Sequence, residues 1–136
     1  MTGETPSAQP IMAPIAIGEL IDKITILEIK AERIHDPDKV RNVRAELALL
    51  RDLRDRAGLS TSEMDGLADE LRSINAALWE IEDDIRACEA QGDFGPRFIA
   101  LARSVYHSND RRSAVKKRIN LAFGSAIVEE KSYAGN

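Results

Sequence analysis

Several residues in this chain have types and spacings that could do chemistry. The most suggestive lie in VYHSNDRRSAVKKR, residues 105–118. Apolar residues on either side recur every three or four positions, and that rhythm puts Ser108 and Arg112 where aliphatic side chains belong. A guanidinium buried alone is very costly, so Arg112 needs a counter-charge or water. An internal carboxylate such as Glu28 or Glu82 is the expected partner. The alternative is a cavity in which Arg112, Ser108, Asn109 and Arg33 hold an anion. Glu80 and Asp83, three apart in WEIEDD (79–84), are spaced to share one Mg²⁺ on a helix.

Each of these has a plainer reading. Helical nucleotide pyrophosphatases use carboxylate pairs on two adjacent helices, and WEIEDD is similar to one such pair. The companion Glu-x-x-Glu is missing, since Glu28 and Glu32 stand four apart on a different helix. Carboxylate runs on helices are ordinarily solvated, and no metal or other cofactor is expected. A helical chorismate mutase needs several convergent cations for two carboxylates. Arg33, Lys39 and Arg112 are candidates, and GDFGPRFIALARSVYHSND (92–110) has a comparable rhythm, but the first helix breaks at Pro37. Cys88 continues an aliphatic seam and reads as a small buried hydrophobe. His35 falls at a helix end and His107 on a polar face. No Cys/His cluster has zinc-site spacing, and no Gly-rich phosphate loop follows a strand. No catalytic residue emerges.

The elements that must position these residues are helical. Hydrophobic residues make up 43%, charged residues 31% and aromatic residues only 4% of 136. That balance favours helices over an all-β domain. Residues 1–10 read as a disordered lead-in to a single helical domain over 11–134. IMAPIAI (11–17) and AIVEEKSYA (126–134) are short extended segments that either pair or lie along the helices.

Four helices fit between them, at about 18–34, 37–57, 62–90 and 96–123. The first carries Leu20, Ile24, Leu27, Ala31 and Ile34 on one stripe, with Ile26 and Ile29 nearly opposite, so it should be buried on two faces. Asp36 caps the second helix ahead of Pro37, and Val40, Val43, Leu47 and Leu50 form its buried stripe. Ser60 or Ser62 caps the third. Its heptad seam, from Met64 through Leu71 and Leu78 to Cys88, predicts lengthwise, coiled-coil-like packing. Short connections make neighbours antiparallel, giving an all-α four-helix bundle of two helical hairpins.

Charge is sorted between the last two helices. Residues 63–93 hold ten acidic and two basic residues, and residues 94–125 hold seven basic and one acidic. An acidic helix beside a basic one supports the second hairpin and neutralises the basic face that nucleic acid would need. Neither nucleic acid nor membrane is an expected partner: the net charge is −4, and no stretch approaches the ~20 apolar residues of a bilayer span. The N-terminus lacks the pattern of a signal peptide, which makes the cytoplasm the expected compartment.

Four stretches together resemble a bacterial family of small uncharacterised helical proteins, a domain-of-unknown-function family. They are IGELIDKITILEIKAERI (17–34), ALWEIEDDIRACEA (77–90), GDFGPRFI (92–99) and IVEEKSYA (127–134). The resemblance implies a bacterial source and a compact helical protein, and it carries over no catalytic residue. Trp79 lies off the main seam of the third helix, where so large a ring must cover something. With Ile26 and Ile29 it marks a candidate interface. The sequence is therefore read as a non-enzymatic protein–protein interaction or regulatory module that self-associates. The rival is a small-metabolite enzyme or anion binder with its site inside the bundle.

Overall fold

Local punctuation sets the helix ends. The structure, a computed structural model, describes residues 9–134. It contains α1 (Ile17–Arg33), α2 (Pro37–Arg56), α3 (Ser62–Gln91) and α4 (Pro96–Ala122). Asp36 accepts the Asp38 and Lys39 amides through its side chain, and Pro37 opens α2. Gly92 ends α3 with a left-handed φ of 67°, a conformation that glycine adopts without a steric penalty. Thr61 caps α3, accepting the Met64 amide at 3.2 Å, and not Ser60 or Ser62 as expected. Thr61 alone of the three sits at the junction where extended backbone turns helical. Ser60 instead donates its hydroxyl to Asp55.

The expected all-α architecture is present, arranged around α1. This helix packs on each of the other three, and α3 packs on α4, whereas α2 packs on α1 alone. The two-faced apolar pattern of α1 explains its place. Leu20, Ile21, Ile24 and Leu27 enter the main core with Val43, Leu47, Met64, Leu71, Val115 and Ile119. Ile29, on the other side, is also buried, and Ile26 is half-buried. At 17 residues α1 is about 25 Å long, against about 45 Å for the 30 residues of α3, so it cannot cover the whole α3–α4 hairpin. Near the hairpin's tip Ile85, Phe98 and Leu101 are only half-buried, and Phe94 and Ile99 are more than half exposed.

The terminal segments do not pair. Among the described residues there is no strand. Ile11 and Met12 stand almost fully in solvent, at 98% and 82% exposure. The C-terminal segment lies along α4 instead, held by Lys117–Glu130 at 2.9 Å and Lys131–Asp110 at 2.8 Å. Of the expected disordered lead-in, residues 1–8 lie outside the described residues. The start of α1 does meet the end of α4 and the residues just after it. Ala16 offers no side-chain cap, and the Ile17 and Gly18 amides donate to Ser125 Oγ at 3.0 Å and Asn120 Oδ1 at 2.7 Å. Amides at a helix start have no partner within the helix, and here distant residues supply one. A Cβ on Gly18 would lie 2.5 Å from the Lys116 carbonyl oxygen, so only glycine permits this approach.

Candidate functional site

The polar break in α4 faces a matching break in α1. Asp22 is wholly buried and receives Arg112 at two points, Nε to Oδ1 at 2.9 Å and Nη2 to Oδ2 at 2.5 Å. Asn75 of α3 donates through Nδ2 to Asp22 Oδ1 at 2.9 Å and to Thr25 Oγ1 at 3.0 Å. Thr25 donates its own hydroxyl to the Asp22 carbonyl. Lys116 lies 4.0 Å from Asp22 Oδ2 and forms a 2.6 Å ion pair with Glu19. Hydrogen bonding to Asp22 raises the Arg112 pKa above its usual value; burial opposes the shift, and the charges of Asp22 and Glu19 add to it. The group stays a cation at any pH the protein would meet.

This arrangement has structural chemistry to do. A two-point guanidinium–carboxylate contact is among the stronger hydrogen-bonded pairs, and its geometry is specific. Asp22 accepts three side-chain donors, so it is ill-placed to act as a base. Together Asp22, Asn75 and Arg112 tie α1, α3 and α4 at one level. The carboxylates expected opposite Arg112 are engaged elsewhere: Glu28 meets Arg51 at 2.7 Å and Glu82 meets Arg86 at 3.3 Å.

The candidate anion site does not assemble as a unit. Asn109 stays with Arg112, accepting from Nη1 at 3.4 Å. Ser108 is buried and accepts from Arg111. Arg33 turns to α3, pairing with Glu80 at 2.7 Å and lying 5.9 Å from the centre of the Trp79 ring. That pairing engages one of the two carboxylates of the Glu80/Asp83 pair. Among the described residues no group of three or more His, Cys, Asp or Glu is placed to hold a metal ion.

Two sets of residues singled out separately converge. Ile26, Ile29, Leu78 and Trp79 line an open groove of about 520 Å³, with Asn109 and Arg112 also on its wall. Glu82 and Asp83 stand on the same groove. Asp22, Thr25 and Asn75 were missed, although a signal existed. Asp22 and Thr25 interrupt LIDKITIL as Ser108 and Arg112 interrupt α4, and Asn75 interrupts the apolar run of α3 one turn after Leu71. Polar interruptions on three buried faces are cheapest when they meet.

A small all-α domain organised on one central helix, with a buried polar tie, is the class that these features define. No helix among the described residues is long and apolar enough to cross a membrane. The chain belongs to a family of unknown function (DUF6165), whose model matches residues 11–136. No curated protein and no solved structure matches it.

Proposed function

We propose that the chain is a non-enzymatic protein–protein interaction module that self-associates, the apolar arm of one copy lying in the Trp79 groove of another. The observation that carries this reading is a mismatch. Ile11 and Met12 stand in solvent ahead of α1, while Ile26, Ile29, Leu78 and Trp79 line an open groove. Pro14 keeps the arm from joining a helix. Exchange of an identical segment closes with two-fold symmetry, so each copy gives an arm and receives one. Burying the four arm side chains of a pair contributes roughly 6–12 kcal/mol at ~1.5–3 kcal/mol each. Association costs about 4–15 kcal/mol, so the balance favours a weak, concentration-dependent dimer. The small-metabolite enzyme or anion-binder reading is less well supported, because Asp22 already neutralises Arg112 and takes its Nε and Nη2 donors.

Sedimentation velocity over a micromolar concentration series tests the proposal. A monomer–dimer equilibrium is expected, abolished by Ile11→Asp with Met12→Asp and weakened by Trp79→Ala. A monomer throughout the series would overturn self-association. A dimer indifferent to the arm substitutions would overturn arm exchange.

A further inference from the structure

Charge holds the C-terminal segment to α4, with little help from packing. Gly124, at a left-handed φ of 64°, turns the chain back along the helix. Ser125 is pinned at that turn: its amide donates to the Asn120 carbonyl at 2.8 Å and its hydroxyl to the Ile127 carbonyl at 2.6 Å. Beyond Ser125, among the described residues, no backbone–backbone hydrogen bond ties the segment to a helix. Of residues 126–134, Val128 alone is half-buried, and the other eight are exposed.

Three consecutive residues of the segment meet opposite charges on α4. Lys117 Nζ donates to both Glu130 oxygens, at 2.9 and 3.0 Å. Lys131 donates to Asp110 at 2.8 Å, and Glu129 lies 3.7 Å from Lys116 Nζ. Between segment and helix lies a cleft of about 340 Å³, with Arg112, Lys116 and Lys117 on one wall and Glu129, Glu130 and Tyr133 on the other. Exposed ion pairs contribute little individually and weaken as salt screens them, whereas salt does not loosen apolar packing.

We propose that residues 126–134 form a strap operated by ionic strength. At low salt the three contacts lay it over the cleft. Once they are screened it swings about the pinned Ser125 and opens the basic wall of α4 to solvent. The Asp22–Arg112 pair survives the release because its carboxylate is fully buried, and Lys116 keeps Glu19 at 2.6 Å. Opening is therefore a local event and not the onset of unfolding. Ile11, Met12 and Trp79 take no part in the latch, so the strap stands apart from self-association.

The test is backbone ¹⁵N relaxation of the full chain, in dilute buffer and at about 1 M NaCl, where the screening length is about 3 Å. In dilute buffer residues 128–133 should have order parameters close to those of α4. At high salt these should fall below about 0.6, the flexible range, while α1–α4 hold their values. Lys117→Glu should release the strap in dilute buffer, and adding Glu130→Lys should latch it again with the charges exchanged. Both side chains are largely exposed, at 46% and 70%, so the substitutions leave the core intact. Val128→Ala should leave the strap in place at low salt. A strap that stays ordered at high salt, or is already loose in dilute buffer, would overturn the proposal. So would a Lys117→Glu strap as ordered as the native one, an exchanged pair that fails to latch, release by Val128→Ala, or a fall in order through all four helices.

Discussion

Arg112 and Asp22, separated by 90 positions in the chain, meet in a two-point ion pair whose carboxylate is fully buried. Removing one partner of a buried pair strands the other. Arg112→Met should therefore cost about 3–5 kcal/mol, read from equilibrium urea unfolding. The double variant Asp22→Leu with Arg112→Met should recover much of that loss, because an apolar pair leaves no charge unmet. Additive single losses in the double variant would show that the pair does not act as a unit.

Gly18 and Gly66 should respond to alanine with opposite signs. A Cβ at position 18 would press on the backbone carbonyl of Lys116 and on Asn120 Oδ1, and a backbone atom cannot rotate away. Gly18→Ala should lose about 1–3 kcal/mol. At Gly66, inside α3, an added Cβ would meet nothing within 4 Å, and Gly66→Ala should gain about 0.5–1 kcal/mol. Thermal melts of the two variants side by side give the comparison.

Asn120→Ala should loosen the start of α1. The substitution removes the acceptor for the Gly18 amide, a buried bond of 2.7 Å. An orphaned buried donor costs about 1–3 kcal/mol. Hydrogen exchange at Gly18 should accelerate more than exchange in the middle of α3; uniform acceleration would point to global destabilisation instead.

The loop between α2 and α3 should respond to acid. The Ser60 hydroxyl, and secondarily Arg54, hold the Asp55 carboxyl below its usual pKa. A depressed folded-state value gives a contribution that is present above the unfolded pKa of about 3.9 and lost as pH falls through the folded value. In Ser60→Ala, NMR titration of the Asp55 carboxyl carbon should show a midpoint moved up toward the ordinary value. Identical midpoints in the two proteins would exclude the hydroxyl as the cause.

Legibility in the sequence followed the range of the interaction. Helix ends at Asp36–Pro37, Gly92 and Pro96 were readable because caps and turns act within a few residues. The oddity of Arg112 was equally readable. Its partner was not, since the meeting with Asp22 depends on where α1 crosses α3 and α4, and periodicity along one helix carries no information about crossing points. The isolation of α2 was hidden for the same reason. Val43 and Leu47 mark a buried face without saying which helix covers it. The placement of the terminal segments stayed open between pairing and lying along the helices, because short apolar runs do not say what covers them; the C-terminal one lies along α4.

The two amide caps of α1 also set an order of events during synthesis. Their acceptors lie 102 and 108 positions downstream, in Asn120 and Ser125. At roughly 5–20 residues per second, translation of ~100 residues takes about 5–20 s. Through that interval the amino end of α1 is without its two acceptors. The α1–α2 hairpin is the first packing available to the nascent chain, and the second face of α1 waits for α3 and α4. Asn120 and Ser125 act as a latch that the ribosome delivers late, so a transcript truncated within α4 would release a chain whose central helix never closes.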